Sequence, residues 1–225
     1  MMAETLTPGE IEKRSFEIIT DELEDKGQVL INGKILEEGT EDAAVIMSVV
    51  KRCIHTTADF DYAGSLYFSE GAVKTFYDLI RSGATIVTDT NMALSGISKK
   101  SLSAYGCRAC CFMADTDVAK EAAERQVTRA HVSMERAMGL DGPVIFVVGN
   151  APTALMTLKE HYDRGDYVPQ FVVGAPVGFV NVEAAKDLII ESSIPHIVNR
   201  GRKGGSNVAA AITNALLYAM DGRVL

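Results

Sequence analysis

The side chain in this sequence best suited to moving a proton lies in residues 49–69, VVKRCIHTTADFDYAGSLYFS. His55 stands there where an apolar helical pattern gives way to a polar loop and then a short strand. Imidazole ordinarily titrates near neutral pH, so at such a junction it can give or take a proton while packed structure holds its backbone. A histidine beside apolar residues can equally be a packed or surface residue, and the segment alone fits both. Three other histidines read as structural or exposed. His131 is inside the helical stretch VTRAHVSMERAM, His161 is near a helix end that favours cations, and His196 opens a strand after Pro195. The thiols Cys53, Cys107, Cys110 and Cys111 include a C-x-x-C-C run within CRACCFM. No second ligand pair at zinc-finger spacing accompanies it, so reduced thiols in a buried strand are expected.

These side chains need a scaffold, and composition bounds it. The chain has 225 residues, 47% hydrophobic content, six prolines and a net charge of −8. No Ser/Pro/Gly tract or like-charge block divides it, which predicts one domain over residues 1–225 with a flexible N-terminus over 1–9. The start, MMAETLTPGEIEKRSFEII, has no apolar core of a signal peptide, and no run is long enough to span a membrane. A cytoplasmic protein with no membrane partner is expected. The acidic balance disfavours nucleic acid, and an anionic ligand would need basic residues gathered locally.

Residues 10–24 place apolar side chains at helical spacing, and QVLINGKIL reads as a small hairpin turning at Asn32-Gly33. Thr40 precedes an apolar helix ending near His55, with Glu41 and Asp42 suited to its positive end. From residue 66 the runs LYF, ATIVT, CRACCFM, PVIFVV, QFVVG and HIVNR alternate with helical stretches over 70–82, 90–95, 117–138, 152–164, 182–192 and 205–220. That alternation predicts an α/β fold: a mostly parallel central sheet with helices on both faces, three layers in all. Ligands of such folds gather at the carboxyl ends of the strands.

Three strand ends there are distinctive: GNAPTAL (149–155), GAPVGFV (174–180) and NRGRKGGS (199–206), the last joining three cations to glycines before the final helix. Gly149 permits close backbone approach, and Pro152 suits a first helical turn whose free N–H groups face outward. Glycine at one such turn is ordinary; three along one sheet edge would line a cleft. DTNMALSG (89–96) looks like a further cleft edge, and Arg129, after Thr128, falls mid-helix on a face that could be merely solvated. No Walker A spacing, G-x-G-x-x-G, G-x-S-x-G or H-E-x-x-H is present, which argues against nucleotide binding, serine hydrolysis and zinc proteolysis.

Taken in order, IHTTADFDY, TDTNMALSG, VTRA, VGNAPTAL, GAPVGFV and GRKGGSNVAAAITNAL resemble the precorrin-8X methylmutase family, including its cobalt-precorrin-8 branch, over about residues 12–220. The resemblance implies a three-layer αβα fold, a homodimer and a step of corrin-ring (cobalamin) biosynthesis. A methyl group moves from ring carbon 11 to carbon 12 of the tetrapyrrole to give a cobyrinate-type product, with no added cofactor and no metal site on the protein. His55 falls on the family's catalytic histidine, which lends a proton to the macrocycle and takes it back. Ser15, Arg52 and Arg129 match substrate-associated positions. Around them the resemblance assigns substrate contacts to Thr56, Asp89, Met92, Gly149, Asn150, Pro152 and Thr153. It does the same along the later loops for Gly174, Pro176, Gly178, Arg200, Arg202, Gly204, Gly205 and Ser206. After PVGFV the family continues with Gly-Ala and a Ser-Lys pair. This chain reads NVEAAK, keeping Lys186 but with Asn181 and Ala185 in place of the usual residues. The hairpin near residue 32 looks like a local addition.

The chemistry agrees with such a ligand. A large conjugated ring edged with carboxylates suits an apolar cleft with a few arginines at its rim. Protonating a ring nitrogen would draw electrons from the conjugated system and ease the shift. A non-catalytic tetrapyrrole carrier would use the same cleft and arginines but could dispense with His55.

Overall fold

The computed structural model describes residues 6–37, 39 and 42–225. A capping box opens the first helix, α1 (Pro8–Lys26): the Thr7 hydroxyl accepts from the Glu10 N–H, and the Glu10 carboxylate accepts from the Thr7 N–H at 2.8 Å. Pro8 and Gly9, within the stretch 1–9 expected to be flexible, already belong to this helix, and residues 1–5 lie outside those described. The hairpin follows, β1 (Leu30–Ile31) and β2 (Lys34–Ile35), with Asn32 and Gly33 both at positive φ as a tight two-residue turn requires.

Next comes α2 (Ala43–Thr57), which buries Val49, Val50, Cys53 and Ile54 on one face. The Thr40 and Glu41 expected ahead of it lie outside the described residues. It ends where Ala58 turns left-handed (φ 53°) and donates its N–H to the Ile54 carbonyl, so His55 occupies the last turn. A one-turn helix not anticipated from sequence, α3 (Tyr62–Ser65), leads into β3 (Leu66–Phe68).

The remaining chain alternates as expected: α4 (Ala72–Arg81), β4 (Thr85–Thr88), α5 (Asn91–Gly96), then an unanticipated α6 (Lys99–Ala104) and β5 (Arg108–Cys110). The helix predicted over 117–138 is two, α7 (Thr116–Arg125) and α8 (Arg129–Met138). Gln126 ends α7 in the left-handed region, and Thr128 restarts the helix as N-cap by accepting from the His131 N–H. Arg129 consequently sits in a first turn, not mid-helix. Then follow β6 (Val144–Val148), α9 (Pro152–Arg164), β7 (Phe171–Gly174), α10 (Val182–Ile190), β8 (His196–Asn199) and α11 (Ser206–Met220).

The main sheet runs β3-β8-β7-β6-β4-β5, with every pairing parallel except the antiparallel edge strand β3. Central strands are buried on both sides because successive residues point to opposite faces. In β6, Ile145 and Val147 join one core with α1, α2, α4 and α11, while Val144, Phe146 and Val148 join the other with α8, α9 and α10. These are the three layers predicted.

The hairpin has a defined job. Asn32 donates from Nδ2 to the Phe68 carbonyl at 2.8 Å and accepts the Phe68 N–H on Oδ1 at 2.7 Å, completing the outer side of β3. CRACCFM forms only a three-residue edge strand, and all four cysteines are free, with Cys53 and Cys107 buried and Cys110 and Cys111 half-buried. Among the described residues no helix is long and apolar enough to cross a membrane.

Candidate active site

The carboxyl edge of the sheet is stitched together by Asp89, the residue after β4. It is fully buried, and its carboxylate accepts the N–H groups of Gly149 and Asn150 at 2.8 Å each and of Ala151 at 2.6 Å. Burial pushes its carboxyl up, and the three donors pull it back. With three donors on its two oxygens and no exposed surface, Asp89 frames the loop after β6 from within. Gly149 is equally internal: a Cβ there would lie 2.6 Å from Ser206 Cα. Ser206 is buried too, its hydroxyl 2.7 Å from that of Thr90. What this frame presents outward is Asn150, with Pro152 and Thr153 half-buried at the start of α9.

The loops after β7 and β8 brace one another in the same way. Gly205 donates its N–H to the Ala175 carbonyl at 2.8 Å, and a Cβ on Gly204 would lie 2.3 Å from that same oxygen. Gly174 abuts Val198 with Pro176 buried nearby, and the Gly178 N–H reaches the Arg202 carbonyl. The glycines predicted to admit a ligand therefore admit the protein's own atoms: Gly149, Gly174 and Gly205 are buried, and Gly204 is half-buried.

Beneath the 199–206 loop, Lys186 is fully buried and donates to the carbonyls of Gly201 and Lys203 at 2.7 Å each. Burial pushes its amine down to about 7 against the pull of Glu183 and Asp187. Arg200 and Arg202 are exposed but not free. Arg200 pairs with Asp187 at 2.9 Å and Arg202 with Glu183 at 2.8 Å. Three large apolar side chains stand in solvent at this edge, Phe179 at 83%, Val180 at 78% and Met92 at 71% exposure.

His55 belongs to a second group, between α1 and α2. Its exposed ring lies tilted by 32° against Phe16, with centroids 4.8 Å apart, and the Arg52 guanidinium, one turn earlier on α2, lies 5.2 Å from the Phe16 ring. Arg52 is also 4.6 Å from Tyr218 and pairs with Glu12 at 3.4 Å. Burial lowers its affinity for the proton, and its Nε is buried without a partner. Ser15 donates to the Ile11 carbonyl beside Phe16, and Thr56 is exposed next to His55. A cavity of about 530 Å³ adjoins Arg52 and Phe16 and carries charges of both signs, Lys13, Lys51 and Arg223 against Glu12, Glu17 and Asp21. The two groups meet through Lys203, which pairs with Asp59 and Asp61 just beyond α2. The C-terminal end of α2 thus opens on the sheet's carboxyl edge.

Arg129 lies further along that edge, at the level of β6. The Thr128 hydroxyl donates to that of Thr153 at 3.1 Å, placing the start of α8 against the start of α9, and Arg129 has no carboxylate partner among the described residues. From β3 to β6 is three strand spacings, roughly 15 Å. His131, two residues on, is structural: its Nδ1 meets the Thr157 hydroxyl at 2.9 Å and its Nε2 meets Glu135 at 3.1 Å. His161 is held by Asp166, and His196 is buried against the Ile194 carbonyl.

The Arg125 side chain bonded to Glu135 holds that carboxyl down at about 2, from an ordinary 4.5. A depressed carboxyl contributes stability above pH 4.5 that is lost as pH falls through about 2. Both groups are partly exposed, so solvent screening reduces the contribution to about 1 kcal/mol. Thermal melts at pH 6 and pH 2 should therefore differ less in Glu135→Gln than in the parent by that amount.

Sequence reasoning did not anticipate Phe16 as the platform for His55 and Arg52, although it adjoins Ser15 in KRSF. Nor did it anticipate the α10 side chains under the basic loop, although Glu183, Lys186 and Asp187 follow the i, i+3, i+4 spacing of one helix face.

Comparison with known proteins adds an independent line. The family model described as precorrin-8X methylmutase matches residues 10–219. The cobalt-precorrin-8 methylmutase of Salmonella typhimurium is 41% identical over 212 residues, covering 94% of this chain and 95% of the relative. That of Priestia megaterium is 36% identical over 220 residues, covering 98% and 92%. The crystal structure of precorrin-8X methylmutase from Thermus thermophilus superposes with a TM-score of 0.79 at 37% identity, covering 96% of this chain and 98% of that one.

Proposed function

The chain belongs to the precorrin-8X methylmutase family, isomerases of cobalamin biosynthesis, and on that basis we propose that it moves the methyl group on ring carbon 11 of cobalt-precorrin-8 to carbon 12. His55 acts as the proton donor and acceptor. The observation that carries this role is its place in the last turn of α2, exposed and packed against Phe16, with Arg52 near the same Phe16 ring. A ring so held is oriented without being enclosed, and it can meet a macrocycle nitrogen lying over the edge.

The migration is intramolecular. The methyl leaves one ring carbon for its neighbour, no external nucleophile enters, and the proton lent at the start returns to His55 at the end. Protonation makes the conjugated ring electron-poor, which favours the shift, and general acid catalysis of this kind typically contributes about 10²–10⁴-fold. Holding the ring flat and in register supplies more. Met92, Phe179 and Val180 offer apolar surface to the ring face. Arg52, Arg129, Arg200 and Arg202 offer guanidinium groups to its carboxylates. Asn150, Thr153 and Gly178 border the same surface.

The cobalt-bearing substrate is favoured by the names of the Salmonella typhimurium and Priestia megaterium relatives. We take residues 1–225 as one methylmutase domain, since a single sheet separates the two main cores. A second copy covering the exposed Phe179 and Val180 would complete a homodimer. Four free cysteines suit a reducing cytoplasm.

The test is turnover at substoichiometric protein. Excess cobalt-precorrin-8 should be converted to the cobyrinate chromophore through many cycles, faster than its metal-free counterpart. Binding that stops at one equivalent, as a carrier would show, overturns the enzymatic assignment.

A further inference from the structure

Besides its bracing by the loop after β7 through Ala175 and Gly178, the basic loop at residues 199–206 is gripped by one face of a single helix. Glu183, Lys186 and Asp187 project from α10 at i, i+3 and i+4, and each meets a different part of the loop. Asp187 holds the Arg200 side chain, which also donates to the Tyr67 hydroxyl at 3.2 Å, and Glu183 holds that of Arg202. Between them Lys186 takes the two carbonyls, of Gly201 and Lys203, that alternate with those arginines along the chain. The Asn199 side chain reinforces the inner hold by donating to the Lys203 carbonyl at 2.6 Å. Backbone oxygens are therefore fixed inward, where solvent cannot reach Lys186. The two guanidinium groups are fixed outward, that of Arg202 against the exposed Glu183 and that of Arg200 against the half-buried Asp187.

We infer that α10 is the template that sets carboxylate recognition at this edge, with Lys186 a positioning residue for the loop and Glu183 and Asp187 stand-ins for the ligand's own carboxylates. The inference rests on the proposed assignment of Arg200 and Arg202 to the macrocycle rim and goes beyond it by naming what fixes their spacing. In the free protein the two α10 carboxylates neutralise and orient the arginines. A ring bearing carboxylates at matching separation exchanges with them one for one, so no guanidinium is desolvated without a counter-charge at any stage. Lys186 keeps the loop backbone still during that exchange, because its two acceptors are main-chain atoms unaffected by the ligand.

The experiment titrates the full chain with cobyrinate, and separately with its methyl ester, which has the same ring but no carboxylate charge, following the visible spectrum. Glu183→Gln/Asp187→Asn removes both stand-in charges while keeping side-chain size. It should bind cobyrinate about 5-fold tighter, the scale set by releasing two surface ion pairs, and bind the ester as the parent does. Lys186→Met should bind cobyrinate at least about 10-fold more weakly while the ester changes less. Lys186→Gln, which retains one donor for one carbonyl, should fall between them. A merely structural role for Lys186 would weaken both ligands alike, and that result would overturn the inference, even in Lys186→Gln should Lys186→Met fail to fold. Unchanged or weaker cobyrinate binding by the double variant would overturn it too. A parent that neither binds cobyrinate nor turns over its precursor would refute the functional assignment and this inference together. A parent that turns over normally beside unresponsive variants would refute the inference alone.

Discussion

Replacing His55 with alanine is expected to slow methyl migration by about 10²–10⁴-fold, the usual contribution of a positioned general acid. The ring is exposed at the end of α2 and takes part in no hydrogen bond among those described, so its removal opens no cavity in the core. Melting temperature should stay close to that of the parent. Cobyrinate affinity should also change little, because the guanidinium groups and the apolar edge remain. The measurement is single-turnover conversion of cobalt-precorrin-8, read from the visible spectrum alongside a product titration. Parent-like turnover would remove His55 from the mechanism. Loss of binding together with loss of rate would instead make it a ligand contact.

The largest expected effect on stability belongs to Asp89. Alanine at this position strands three N–H groups, those of Gly149, Asn150 and Ala151, around a space water reaches poorly. Each buried donor left without an acceptor costs about 1–3 kcal/mol, and partial access at Asn150 moderates the sum, so about 3–5 kcal/mol is expected. For a chain of this size that corresponds to a fall of roughly 10 °C in melting temperature. Asp89→Asn, with one carbonyl oxygen in place of two, should fall between the parent and alanine. Activity should drop further than stability alone explains, because the loop that presents Asn150 and Thr153 loses its template. An alanine variant melting within about 2 °C of the parent would show that the loop holds itself.

The alternation of strands and helices, the parallel sheet and the carboxyl edge were legible in the sequence because each depends on local period and on a general rule of topology. His55 was legible at a boundary between two patterns. The break between α7 and α8 was not, because Gln126 takes a left-handed cap without glycine and both helices keep their apolar spacing across it. The reasons for the glycines were also hidden. Gly204 is fixed by a carbonyl of Ala175 and Gly149 by Ser206, neighbours distant in sequence that no local reading supplies. Asp89 fell on a residue that the family likeness assigned to substrate, yet its three partners turn it inward. Arg200 and Arg202 were recognisable as a local concentration of positive charge in an acidic chain. Their carboxylate partners on α10 emerged only once the helix was laid beside the loop.

The hairpin at Asn32 has one more consequence. Edge strands invite strand addition from another chain, and such addition is a common route to uncontrolled self-association. On β3 the Phe68 N–H and C=O that would accept an incoming strand are already taken by the Asn32 carboxamide, and the Leu66 carbonyl receives the Asn32 N–H. The opposite edge, β5, is only three residues long. Strand addition at β3 is therefore disfavoured, and any association between copies is expected to use side chains and loops instead of extending the sheet there.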